Sequence, residues 1–262
     1  MKSYFGLAVE KENNKMIIRI NRPEINCKIN RATGNAIIEA IRDANSDDDV
    51  RVIILTGTGE YFCGGGEVDN HPNGSLKDYV NYSEAFCNIH YAIYDSFKPI
   101  IAAVQGKAVA GGFSLTEACD MAVCSEKTVF ALPEITHGLF PMIALATTGK
   151  TVPKKALLKL SFTAEVISAE KAKEWSIVNE IVEDGKVLDR AKEMADEIAQ
   201  YSADAIAFGR RAYYAMNNMP LRDALEYSRA ALFGTLYTDD AIKFGHAVQN
   251  GQISMDYIKS KK

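Results

Sequence analysis

Between Lys98 and Pro141 the chain reads KPIIAAVQGKAVAGGFSLTEACDMAVCSEKTVFALPEITHGLFP, and this stretch constrains the fold most. The apolar run Ile100–Val104 reads as a strand. A Gly/Ala turn, Gly106–Gly112, separates it from a helical run, Phe113–Ala118. A second apolar run, Met121–Cys124, leads to the lone carboxylate of Pro133-Glu134. A glycine turn that opens a helix presents backbone N–H groups without internal partners, and such groups can hold an oxyanion. The same stretch carries one acid back toward them.

The flanking sequence supplies a frame. Phe5–Glu10 and Lys15–Ile20 alternate in polarity around Lys11-Glu12-Asn13-Asn14, the pattern of a hairpin. From Asn30, the positions Ala36, Ile37, Ala40, Ile41 and Ala44 repeat at helical spacing. Val52–Leu55 is continuously apolar, as in a strand covered on both faces. Phe62-Cys63-Gly64-Gly65-Gly66-Glu67 then places three glycines in a row, either for a tight turn or for close approach of backbone to a ligand. Asp78–Ser96 reads as a long helix with Phe86, Ile89, His90 and Ile93 on one face. Helices are expected over Pro153–Leu160 and Ser168–Glu174, and a last short strand within Ile177–Val182. From Val187 onward only helices are expected: Val187–Gln200, Ala203–Asn217, Leu221–Leu236 and Asp239–Asn250. Strands alternating with helices, followed by helices alone, make this an α/β chain with a C-terminal helical block.

Composition removes several function classes. A net charge of −4 gives no electrostatic basis for nucleic-acid binding. The five cysteines, Cys27, Cys63, Cys87, Cys119 and Cys124, are odd in number, form no CxxC and flank apolar runs. They read as buried free thiols, and their spacing offers no zinc site. No apolar run reaches membrane-spanning length. The opening MKSYFGLAVEKENNK lacks a secretory pattern, so a cytoplasmic protein without membrane association is expected.

Several pieces, in order and at matching spacing, carry a family resemblance. They are Asn21-Arg22-Pro23-Glu24, Phe62–Glu67, Lys98-Pro99 with Ile101–Gly106, Ala110-Gly111-Gly112, Ala118-Cys119-Asp120, and Pro133-Glu134-Ile135 followed by Gly138. The chain resembles the crotonase superfamily of enoyl-CoA hydratases and isomerases over nearly its whole length. The resemblance implies a spiral of ββα units with the acyl-thioester site over residues 1–200. It also implies a helical trimerisation region over 201–262, and assembly as a homotrimer or a dimer of trimers. The implied substrate is an acyl-CoA thioester, with no metal and no cofactor beyond the coenzyme A carried by the substrate.

By position in the family motif, the oxyanion donors are the backbone N–H groups of Gly66 and Gly111. Glycine at position 66 departs from the more usual alanine. Hydratases of the family use two glutamates, and here the first of those positions is Ser114 while the second is Glu134. One carboxylate suffices to move a proton between two carbons, so isomerisation of a 3-enoyl to a 2-enoyl thioester is the expected reaction. Hydration with Ser114 positioning the water, another crotonase reaction, and a non-catalytic thioester-binding subunit are the alternatives. Glu117 lies one turn beyond Ser114 and is expected to point away. His137 is a candidate to tune Glu134, and Tyr79, Tyr82 and His90 read as pocket wall. The coenzyme A end of the substrate is expected near Cys27, Lys28, Gly64, Val68 and Asp69. The C-terminal region Val248-Gln249-Asn250-Gly251 departs from the cationic ending of many members, which leaves an acyl-carrier-protein thioester open.

Overall fold

The computed structural model describes residues 2–67 and 73–252. The chain divides into two compact units, Met1–Ile198 and Ala199–Lys262. In the first, β1 (Leu7–Glu12) and β2 (Lys15–Ile20) form the expected antiparallel hairpin, turning on Asn13-Asn14. Asn13 adopts a left-handed φ of 51°, which asparagine tolerates better than most residues. The Asn30 side chain accepts from the Thr33 N–H at 3.0 Å and caps α1 (Arg31–Ser46).

Three successive segments then repeat one plan. The first is β3 (Val52–Gly57), β4 (Tyr61–Cys63) and α2 (Leu76–Tyr94). The second is β5 (Ile100–Val104), β6 (Lys107–Val109) and α3 (Gly111–Ala118). The third is β7 (Met121–Ser125) and β8 (Val129–Ala131), followed by a 3-10 turn over Glu134–His137. In each, the first strand joins a six-stranded sheet and the second joins a four-stranded sheet. This is the expected spiral of ββα units. The unit is completed by α4 (Met142–Thr148), α5 (Lys154–Thr163), β9 (Val166–Ser168), α6 (Ala169–Glu174), β10 (Glu180–Val182) and α7 (Val187–Ala199).

The six-stranded sheet runs β1-β2-β3-β5-β7-β10, parallel except for the β1–β2 hairpin. Its continuously apolar strands bury both faces. One face, with Ile53, Leu55, Ile100, Ala102 and Val104, packs into a core shared with Phe62, Ala108 and Phe130 of the other sheet. The opposite face, with Ile17, Val52, Ile54, Ile101, Ala103 and Val123, is covered by Val187, Ala191, Met194 and Ala195 of α7. Lys15 is buried at this layer and its ammonium pairs with Asp196 of α7, which compensates the buried charge.

The four-stranded sheet runs β4-β6-β8-β9. Because β4, β6 and β8 are parallel neighbours, their C-terminal ends lie side by side. The segments that leave those ends are Gly64–Glu67, Ala110-Gly111 and Leu132-Pro133-Glu134. Topology therefore brings the glycine run, the glycine turn and the lone acid to one edge.

Some expectations need correction. The stretch Gly106–Gly112 is not one turn, since β6 lies inside it. The strands β4, β8 and β9 have three residues each, too short for an alternating pattern to declare itself. Helix α4 was not anticipated, and the last strand begins at Glu180 because Ile177 and Val178 bury their side chains outside it. Among the cysteines, all of which are free, Cys87 is only half-buried.

The second unit holds α8 (Ala203–Met216), α9 (Leu221–Leu236) and α10 (Asp239–Gln249). Ser202 and Thr238 cap α8 and α10, and the Ser202 hydroxyl donates to Asp240 at 2.8 Å, tying those two helix starts together. Helix α9 buries none of its residues; Leu221, Leu225, Leu232, Phe233 and Leu236 are all exposed. Among the described residues, no helix is long and apolar enough to cross a membrane, and no three His, Cys, Asp or Glu side chains are placed to hold a metal ion.

Two stability predictions follow from how α3 is held. A Cβ at Gly112 would stand 2.0 Å from the Cys63 carbonyl oxygen, so α3 touches the end of β4 through bare backbone. Gly112→Ala is expected to lower unfolding free energy by about 3 kcal/mol, read from urea midpoints. Near the other end of α3, burial pushes the Glu117 carboxyl up to about 7 against the opposing hydrogen bond from Thr151. The folded protein thus holds this proton to higher pH than the unfolded chain does. Its contribution is complete below pH 4.5 and declines as pH rises toward 7. Glu117→Gln should flatten that decline by about 2–3 kcal/mol, and parallel stability–pH curves for the two proteins would refute it.

Candidate active site

The glycine run after β4 is held by pairing with the segment before α1. Gly64 N–H donates to Asn26 O, Ile29 N–H to Gly65 O, and Glu67 N–H to Ile29 O, each at 2.9 Å. In this parallel bridge Ile29 bonds the residues on either side of Gly66. The N–H of Gly66 itself is therefore turned away from Ile29. Glu67 anchors the end of the loop through Arg22 at 2.8 Å and Asn30 at 3.1 Å. Arg22 also donates to Lys28 O at 2.9 Å, so the Asn-Arg-Pro-Glu motif fixes the loop's partner segment.

The second donor is set by Ala110. This residue has φ 52° and ψ −117°, a strained conformation for a side chain with a Cβ. Its own N–H donates to Ala131 O at 2.9 Å. The kink starts α3 at Gly111, whose N–H is the first of the helix and feels the positive end of its dipole. Neither the Gly66 nor the Gly111 N–H has a hydrogen-bond acceptor among the described residues. The loops touch, since a Cβ on Gly65 would lie 3.3 Å from the Gly111 nitrogen and 2.9 Å from the Ala110 Cβ.

One face of α2 is laid along this edge. Tyr82, Phe86 and His90 recur every fourth residue and so line up on the helix. A Cβ on Gly66 would meet the Tyr82 hydroxyl oxygen at 2.1 Å, and one on Gly111 would meet the Phe86 ring at 2.3 Å. His90 Nε2 lies 2.6 Å from Ser114 Oγ. Glycine at position 66, the departure from the more usual alanine, is required here, because the Tyr82 ring fills the space an alanine methyl would need.

The histidine tautomer follows from its partners. Nδ1 stands 2.8 Å from the Phe86 carbonyl, which can only accept, so Nδ1 carries the proton. Nε2 is then the acceptor of the Ser114 hydroxyl. Burial holds the imidazole below its ordinary pKa and keeps it neutral. Ser114 Oγ is also 3.3 Å from the Thr147 hydroxyl of α4. Sequence reading placed His90 in the pocket wall; the i, i+4, i+8 spacing from Tyr82 was the available signal for its alignment with the glycines.

Glu134 opens the 3-10 turn after β8. Its Oε2 is buried with no hydrogen-bond partner among the described residues, while its own backbone N–H bonds the carboxylate. Burial raises its pKa, and that hydrogen bond and the His137 charge oppose the rise only in part. His137 is exposed, three residues on, and acts on Glu134 through charge. Glu117, one turn from Ser114, is half-buried and hydrogen-bonded to Thr151.

At the presumed coenzyme end, Cys27 is fully buried. Its thiol lies 3.3 Å from Ile20 O and 3.2 Å from Thr58 O, so the side chain braces the fold. Only its backbone, at a left-handed φ of 54°, is left for a ligand. Lys28 is half-buried and lies beside Gly64, with its Cγ 3.4 Å from where a Cβ on Gly64 would stand. Val68 and Asp69 lie outside the described residues.

Comparison with known proteins agrees with this geometry. A family model described as enoyl-CoA hydratase/isomerase matches residues 10–250. Carnitinyl-CoA dehydratase of Salmonella enteritidis is 33% identical over 232 residues, covering 86% of this chain and 88% of that protein. The solved structure of an enoyl-CoA hydratase from Mycobacterium smegmatis superposes with a TM-score of 0.90 at 25% identity, covering 94% of this chain and 96% of that one. Human enoyl coenzyme A hydratase domain-containing protein 3 shares the fold, with a TM-score of 0.90 at 23% identity and coverage of 94% and 98%. With paired N–H donors at one sheet edge, a buried acid from the neighbouring strand and a family match over most of its length, the chain belongs to the enoyl-CoA hydratase/isomerase family of the crotonase superfamily.

Proposed function

We propose that the chain isomerises a 3-enoyl-CoA to a 2-enoyl-CoA, with Glu134 as the only proton shuttle. The observation that carries this reading is the buried Oε2 of Glu134, without a hydrogen-bond partner among the described residues, in the turn that follows β8, the strand paired with the one that leads into Gly111. The ionised carboxylate removes a proton from C2 of the acyl group. The electron pair delocalises onto the thioester oxygen, where the Gly66 and Gly111 N–H groups stabilise the resulting dienolate. The carboxylic acid then returns the same proton to C4, leaving the double bond at C2–C3. Atoms and charge balance without a metal or a cofactor beyond the coenzyme A of the substrate. The other polar groups of the site fit a lone-carboxylate reaction. His90 is neutral, and both its nitrogens and the Ser114 hydroxyl have partners within the protein. The coenzyme end is assigned to the backbone at Cys27, to Lys28 and Gly64, and to Val68 and Asp69. A cytoplasmic homotrimer or dimer of trimers completes the proposal.

One observation favours a second reading, reversible hydration. The Ser114 hydroxyl stands where hydratases of the family carry their first glutamate, and it is hydrogen-bonded to His90. A water donating to Ser114 Oγ would pass a proton by relay to His90 Nε2, while Glu134 protonates the α-carbon. The 33% identical relative is named as a dehydratase, which is the same reaction reversed.

The two readings separate in a side-by-side assay of 3-enoyl-CoA and 2-enoyl-CoA. Glu134→Gln should lower isomerase kcat by about 10³-fold, and activity within tenfold of the parent would refute the shuttle. Ser114→Ala should leave isomerisation within about threefold but abolish hydration if the relay operates. Binding without turnover on either substrate would instead mark a thioester-binding subunit. The base must be ionised, and burial raises its pKa. The acid limb of kcat/KM should therefore fall at a pH above 4.5, and an apparent pKa at or below 4.5 would contradict the assignment.

A further inference from the structure

The side chain that the reaction above leaves without a task is Tyr82. Its phenol lies against the α-carbon of Gly66, 2.1 Å from where a Cβ would stand, with ring carbons as close. The ring is steadied by Phe86, at 5.4 Å between centroids and 56° between planes, and Phe86 in turn covers Gly111. One helix face thus braces both N–H donors and sets a hydroxyl beside one of them. Tyr82 is half-buried, and its hydroxyl makes no hydrogen bond to another described residue. A phenylalanine would pack equally well, so packing does not account for the oxygen.

We propose that the Tyr82 hydroxyl is a third hydrogen-bond donor to the thioester oxygen, acting with the N–H groups of Gly66 and Gly111. The inference rests on the enolate reading and adds a residue to it. Burial pushes the phenol up to about 12, aided by the charge of Glu134, so it stays protonated and can only strengthen as a donor when negative charge arrives. Glycine at position 66 is then a condition for the third donor. An alanine methyl and this phenol cannot occupy the same space.

A chromophoric 2-enoyl thioester, cinnamoyl-CoA, tests the proposal without relying on turnover. Polarisation of its carbonyl on binding shifts its absorbance to longer wavelength. Tyr82→Phe should bind it within about threefold of the parent but lose most of the shift, and kcat with 3-enoyl-CoA should fall about 100-fold. Gly66→Ala meets the ring carbons as well as the hydroxyl, so it displaces the whole ring and should lose at least as much of the shift as Tyr82→Phe does. A full shift in Tyr82→Phe would overturn the third donor while leaving the enolate reading intact. If the parent protein itself binds cinnamoyl-CoA with no shift, the two-donor hole fails first and the third donor with it.

Discussion

Two half-buried backbone N–H groups have no acceptor among the described residues, and the strands and loops of the first unit keep that pair unsatisfied. Gly66 is held in that state because Ile29 bonds its neighbours on both sides. Gly111 is held in it because Ala110 takes a positive φ and starts a helix there. Both devices need the parallel run of β4, β6 and β8, which puts the two loops at one edge. The strain at Ala110 and the missing partners have a common explanation if an oxyanion completes the site.

The glycines at this edge serve contact rather than flexibility. At 66, 111 and 112, a Cβ would fall within 2.3 Å of Tyr82, Phe86 and the Cys63 carbonyl respectively. Helix α2 therefore does more than line a pocket. It occupies the volume that side chains on the donor residues would otherwise take, and so ties the position of each donor to one aromatic ring. Each ring contributes hydrophobic burial to the core and fixes a backbone group at the same time.

Much of this was legible in the residues and some was not. The hairpin, α1, β3, β5 and the C-terminal helices announce themselves through strong periodicity. The three-residue strands of the second sheet do not, because a period of two cannot be read in three positions, and it is those strands that bring the site together. Glu134, as a lone acid after an apolar run, and Gly66 and Gly111, through the family motif, stand out. His90 and Tyr82 do not, since a residue on an amphipathic helix looks the same whether it packs against a core or against a reacting group. What identifies them is a contact between α2 and two distant loops; the i, i+4, i+8 spacing aligns them on one face but does not say what that face meets.

Burial of the Glu134 carboxyl tunes the acid. A carboxylate in this setting is a stronger base than in water, because desolvation raises its pKa. The α-carbon of a thioester remains a far weaker acid than any carboxyl group, so raising the base alone cannot close the gap. The hole works on the other side of the balance, stabilising the enolate by about 3 kcal/mol for each donor removed in comparable sites. A lone glutamate suffices only where the two effects meet in one water-poor edge. Neutral Ser114 and His90 preserve that condition, since a second carboxylate at Ser114 would add negative charge beside an enolate that already carries one. On the proposed isomerisation, a serine at position 114 suits a site that concentrates its electrostatics on the thioester oxygen and leaves the proton's two destinations to a single side chain.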